Sequence, residues 1–158
     1  MFESLFQSFQ DSADCSQTAA RIGRLRAELA ARGLDGFLVP RADRHQNEYV
    51  PACEERLAWL TGFTGSAGLG LVLPTRAVIF VDGRYTLQIR EQVDLSMIEP
   101  VAIAETTPQK WFEQNLGSGL KIGYDSWLHT PAQIDRFAKS LADLGSELVA
   151  LDGKPIDA

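Results

Sequence analysis

Cysteine and histidine are both scarce in this chain, whose 158 residues hold two of each. Cys15 and Cys53 are too few and too far apart for a disulfide framework, so they read as free thiols in a reducing compartment. His45 and His129 stand alone, with no His-x-x-x-His, Cys-x-x-Cys or His-Glu-x-x-His spacing. A hydrolytic metal centre draws several such ligands onto one point, so these histidines read as surface or hydrogen-bonded residues, and only an all-carboxylate site stays open. Apolar runs long enough to span a bilayer are missing too. So is concentrated positive charge: Lys+Arg number 15 against Asp+Glu 21, a net charge of −6. That balance argues against nucleic acid and anionic membrane as partners. Arg21, Arg24, Arg26 and Arg32 are spread along one helix among Ala and Leu, and read as a solvated face. Residues 1–14 carry Phe2, Leu5, Phe6 and Phe9 without a basic flank, which is no secretory signal but suits a short amphipathic arm. These readings place the chain in the cytoplasm.

What is present is the balance of a globular domain, 45% apolar and 23% charged. Ser16 or Thr18 is expected to cap a helix carrying Ile22, Leu25 and Leu29, with Gly33 as its left-handed stop. Residues 35–40 read as a buried strand, 41–53 as a polar loop and 54–60 as a short helix. Strands over 69–73 and 77–81, joined by Pro74-Thr75-Arg76, predict an antiparallel hairpin. A helix over 84–93 and a strand over 96–101 follow. Thr107-Pro108 and Thr130-Pro131 each place a cap before proline at the first helical position, opening helices that stop at Gly117 and Gly145. Strands over 120–124 and 147–151 complete the pattern. Alternating helices and strands with one hairpin predict an α/β chain: a three-layer α/β/α domain with a mixed, mostly parallel sheet. The expected organisation is an arm over 1–15, one domain over 16–152, and the start of an interdomain linker over 153–158.

Nucleophilic chemistry finds little support. Gly65-Ser66-Ala67-Gly68 is not Gly-x-Ser-x-Gly, and an apolar strand follows the serine instead of preceding it. Nothing in the sequence brings Cys53 to His45. The glycines Gly62, Gly65, Gly68 and Gly70 lie after a helix and before a strand, the reverse of a phosphate loop, and no lysine precedes Arg76. They read as a tight turn needing positive φ or close approach. The stretch Asp43-Arg44-His45-Gln46-Asn47-Glu48-Tyr49 leaves two readings open: a loop capped by its own Asp and Asn, or donors presented to a ligand or a neighbouring domain. Asp82 can cap the helix that follows it and Gly83 permits the turn. Arg84 is expected to pair with an acid such as Glu48, Glu54 or Glu55.

Taken in order, these segments are specific. An acid-x-His-Gln-x-Glu-Tyr loop (43–49), Gly-Phe-x-Gly-Ser-Ala-Gly (62–68) and Asp-Gly-Arg-Tyr before Leu-Gln (82–88) resemble the N-terminal domain of Xaa-Pro aminopeptidases, the aminopeptidase P branch of the creatinase/prolidase group. The resemblance covers most of the chain beyond residue 15. It implies a parent enzyme that removes an N-terminal residue preceding proline, using two divalent ions, commonly manganese. Their ligands (two Asp, two Glu and a His) lie in a C-terminal pita-bread domain. None of those motifs stands here, so no catalytic residue, metal ligand or cofactor is carried over. The resemblance implies a non-catalytic domain that supports homodimerisation and covers part of the active-site mouth, with its own catalytic domain and proline-containing peptides as partners. It gives His45, Gln46, Glu48, Tyr49 and Arg56 as candidates facing that mouth. Gly62, Gly65, Ser66, Gly68, Asp82, Gly83 and Arg84 are its structural motif. Arg44 and Asn47 depart from the small residues usual at their positions. The alternatives are a stand-alone binding or scaffold module of the same fold, and a small hydrolase built on the 43–68 loops.

Overall fold

In the computed structural model, which describes residues 13–151 and 155–157, eleven main elements follow one another. They are α1 (Thr18–Ala31), β1 (Gly36–Pro40), α2 (Arg56–Thr61), β2 (Leu69–Val72), β3 (Ala77–Val81) and α3 (Gln88–Gln92). After these come β4 (Glu99–Ala102), α4 (Pro108–Asn115), β5 (Lys121–Asp125), α5 (Pro131–Asp143) and β6 (Glu147–Leu151). The aromatic residues of the N-terminal arm lie outside the described residues.

The strands form one sheet in the order β4-β3-β2-β1-β5-β6. β2 pairs antiparallel with both β1 and β3, and the other neighbours pair parallel, so β2 alone runs against the rest. The expected mixed, mostly parallel sheet is therefore present, with its hairpin in the register Leu69↔Phe80 to Val72↔Ala77. Its centre is apolar on both faces because helices cover both. One face packs Phe37, Val39, Val72, Ile79 and Val81 against Ile22, Leu25 and Leu29 of α1, Leu57 and Leu60 of α2, and Ile89 of α3. The other packs Leu38, Leu71, Val78, Phe80 and Ile122 against Trp111 and Phe112 of α4 and Phe137 and Leu141 of α5. Each such side chain, fully buried, contributes about 1.5–3 kcal/mol relative to exposure. The result is a three-layer α/β/α domain.

The caps of α4 and α5 form as expected. Thr107 accepts from the Lys110 N–H, and Thr130 makes a capping box with Gln133. The cap of α1 does not. Gln17 occupies that position without a side-chain bond, Thr18 is turned into the core with its Oγ1 unpartnered, and Asp14 accepts the Ser16 N–H. The first turn is held by packing instead. The expected helix over 84–93 is divided into a 3-10 turn (Gly83–Tyr85) and α3, because Asp82 caps the turn directly after β3.

Candidate functional site

Because only β2 runs against the other strands, one edge of the sheet collects the carboxyl ends of β1, β3, β4, β5 and β6 with the start of β2. That edge carries residues 41–55, 62–68, 82–87 and 126–130. Crevices outside the carboxyl ends of strands are where α/β sheets usually present their functional loops.

The loop after β1 is built around Asp43, which is buried. Its Oδ1 accepts the N–H groups of His45 at 2.9 Å and Asn47 at 3.0 Å, and its Oδ2 accepts Asn47 Nδ2 at 2.9 Å. These bonds, led by the Asn47 N–H, hold the carboxyl below its ordinary range. Gln46 takes φ +56°, and its backbone and side-chain N–H groups both reach the Asp43 carbonyl at 3.1 Å. Arg44 binds Glu54 through its backbone N–H and its Nε, each at 3.0 Å. With Asp43 and Asn47 consumed in holding the loop, His45, Gln46, Glu48 and Tyr49 are turned outward, Tyr49 being 85% exposed.

Arg56 does not join them. It is buried at the start of α2, and its Nε and Nη2 donate to Asp157 at 2.9 and 3.0 Å. Burial opposes its charge. The hydrogen bonds and charge of Asp157, with Glu54 and Asp125 nearby, more than offset that and hold it above its ordinary value. Its Nη1 is enclosed without a partner. Pro155–Asp157 form a 3-10 turn with Ile156 buried in the core, and a cleft of about 240 Å³ opens between this turn, Arg24, Cys53 and Trp59. Sequence reasoning missed Ile156 and Asp157, since 153–158 carries the composition of a linker.

The glycine loop packs beside the first. Gly62 has φ +82°, and a Cβ on Gly65 would stand 2.2 Å from Phe63 Cζ and 2.9 Å from Tyr85 Cδ1. Phe63 meets Tyr85 edge to face at 5.8 Å, and the Tyr85 hydroxyl shares a hydrogen bond of 2.5 Å with Ser66 Oγ. The serine is thus partnered by a phenol and not by a base. Arg84 pairs with none of the glutamates expected. Its Nη2 lies 2.6 Å from Asp82 Oδ2 while its backbone N–H donates to Asp82 Oδ1 at 2.9 Å, and these bonds lower the Asp82 pKa. A partner two residues away needs less side-chain ordering than one across the loops.

His129 also departs from expectation. It is 7% exposed, between the rings of Tyr124 and Phe137, with Nε2 unpartnered. Burial pushes it down to about 4, against the pull of Asp125. A histidine just before a Thr-Pro cap carries no sequence signal of burial. Among the described residues no three His, Cys, Asp or Glu side chains converge as a metal site needs, and no helix is long and apolar enough to cross a membrane.

Residues 21–157 match the family model of the creatinase/prolidase N-terminal domain. Two curated relatives named "Probable Xaa-Pro aminopeptidase P" are similar: one from Coccidioides posadasii, 33% identical over 89% of this chain, and one from Laccaria bicolor, 32% identical over 93%. The chain spans 23% of the length of each. Among solved structures, the X-prolyl aminopeptidase of Caenorhabditis elegans, described as a cytosolic enzyme with a di-nuclear active site, superposes with a TM-score of 0.83. It is 26% identical, over 90% of this chain and 25% of that one. The N-terminal domain of the cytoplasmic peptidase PepQ from Mycobacterium tuberculosis superposes with a TM-score of 0.64 at 28% identity, over 87% of this chain and 96% of that one.

Proposed function

Because this chain belongs to the creatinase/prolidase N-terminal domain family, we propose that it is the non-catalytic N-terminal domain of a metal-dependent Xaa-Pro aminopeptidase, an enzyme that removes an N-terminal residue preceding proline. One observation carries the reading: the aminopeptidase relatives match nearly all of this chain over only 23% of their own length. The chemistry of the edge supports it. Four of its acids are committed to structure, Asp43 to its own loop, Glu54 to Arg44, Asp82 to Arg84 and Asp157 to Arg56. These residues do not fit a divalent pair, so the two metal ions, manganese in this reading, belong to the catalytic domain and no step is routed through this chain.

What this domain contributes is a stiff loop. His45, Gln46, Glu48 and Tyr49 face the substrate mouth, with imidazole, amide, carboxylate and phenol available to hydrogen-bond a peptide. Arg56 serves the mouth indirectly, by anchoring 155–157. The enzyme is a cytoplasmic homodimer in this reading, acting on proline-containing peptides. The test is the intact mass of the native product, together with its activity on an Xaa-Pro peptide before and after chelation. A product well above 17.4 kDa, with chelator-sensitive cleavage restored by manganese, is expected. A native product of 17.4 kDa overturns the proposal.

A further inference from the structure

The two thiols of this chain stand in different surroundings. Cys15 is half-buried, with its backbone against Gly62, whereas Cys53 is exposed. Cys53 lies on the 3-10 turn Ala52–Glu54 and lines the cleft of about 240 Å³ beside Arg56 and the 155–157 turn. Arg24 of α1 and Trp59 of α2 line the same cleft. Trp59 is 41% exposed and carries the Arg21 guanidinium over its ring at 4.7 Å.

The fold sorts the charges around this thiol. Glu54, its neighbour in sequence, is taken by Arg44 at 3.0 Å, and Asp157 is taken by Arg56 at 2.9 Å. Arg24 and Glu55 are exposed and enter no ion pair among the described residues. Arg56 adds a third unspent group. Its side chain is nine-tenths buried, Nε and Nη2 are on Asp157, and Nη1 has no partner. A thiol set among a free cation, a free anion and an aromatic ring suits a partner bearing both signs of charge: carboxylate toward the guanidinium groups, ammonium toward Glu55. Arg21, Arg24 and Arg56 outnumber Glu55 and Asp157 here, so the surplus favours a partner of net negative charge.

We propose that Cys53 is a site of reversible S-thiolation by a small amino-acid-derived thiol of net negative charge, the chemical class of glutathione, whose body the cleft holds. The oxidant is the disulfide of that thiol. The Cys53 sulfur, having given up its proton, attacks one sulfur of the disulfide. A new S–S bond forms to Cys53 as the old one breaks, and the departing half leaves as a thiolate that takes up a proton. One thiol and one disulfide become one thiol and one disulfide, so electrons and protons balance. Excess reduced thiol runs the exchange backward.

The test compares two small disulfides on the native protein at one pH: oxidised glutathione, and cystamine, which carries ammonium groups and no carboxylate. Peptide mass mapping reads the adducts, and the two rates are expressed as a ratio, glutathione over cystamine. One adduct per chain is expected, on Cys53 ahead of Cys15, and dithiothreitol is expected to remove it. In urea the unfolded chain sets the free carboxylates of Glu54 and Glu55 beside the thiol and disperses the arginines, so the ratio is expected to fall several-fold. Arg24→Gln and Arg24→Glu, at an exposed helical position, are expected to lower the ratio of the folded protein in that order. A ratio unchanged by urea, or unchanged by both Arg24 variants, shows that the cleft selects nothing and refutes the proposal. Adducts on Cys15 ahead of Cys53, or none with oxidised glutathione, refute it as well.

Discussion

Arg56 and Asp157 are bound to each other through two hydrogen bonds across 101 positions of sequence, yet the two ends of the pair live in different surroundings. The Arg56 side chain is 10% exposed and that of Asp157 47%. Removing the carboxylate strands a charge in the interior, whereas removing the guanidinium leaves an anion that water can solvate.

The two single substitutions should therefore be unequal. Asp157→Ala is expected to lower the unfolding free energy by about 3 kcal/mol and Arg56→Met, which keeps the packed stem, by about 1 kcal/mol. Urea denaturation measures both. Equal losses would mean that the buried arginine is compensated by something other than Asp157.

His129 gives a pH dependence whose sign follows from burial. Its folded value of about 4 lies below the ordinary 6.5, so on acidification the unfolded chain takes up the proton first. The stability it contributes is complete above pH 6.5 and lost as pH falls toward 4, by up to about 3 kcal/mol. His129→Leu is expected to leave stability near wild type at neutral pH, because Nε2 has no partner to lose, and to flatten this slope. Denaturation across that window decides it; parallel curves for the two proteins would contradict the assignment.

Two glycines of the loop motif should respond differently to alanine. At Gly65 the new Cβ has no room beside Phe63 and Tyr85, and Gly65→Ala is expected to cost about 2 kcal/mol or more. Gly83 has open space around its Cβ position, so Gly83→Ala is expected to stay within about 0.5 kcal/mol. Melting temperatures of the pair separate the cases, and comparable losses would show that the turn, not the contact, requires glycine.

The capping box of α5 supplies the fourth case. Thr130→Val removes the oxygen that accepts the Gln133 N–H, with an expected cost of about 1 kcal/mol. Chemical denaturation reads it, and a neutral result would mean that Pro131 and packing alone start the helix.

The sheet was legible in the sequence because its signals are local. The hairpin appears as two apolar runs around Pro74-Thr75-Arg76, and both Thr-Pro caps act within one helical turn. Where a residue's state depends on distant atoms the reading failed. Thr18 looked like a cap but is drawn into the core by the packing of α1, and His129 gave no sign of lying between Tyr124 and Phe137. The polar loop was half legible. Self-capping by Asp43 is a local bond, foreseeable from Asp and Asn at that spacing, but the burial of Arg56 depends on a partner 101 positions away.

The β2–β3 hairpin also bears on the order of folding. Only residues 73–76 separate its strands, whereas every other neighbouring pair must close a loop that includes a helix. Closure entropy rises with loop length and hairpins form within about 1–10 μs, which makes this pair the natural nucleus. Leu71→Ala, inside it, is then expected to slow refolding, while Leu148→Ala on the outermost strand acts chiefly by speeding unfolding. The strand that runs against all the others is thus the one that gives them something to assemble on.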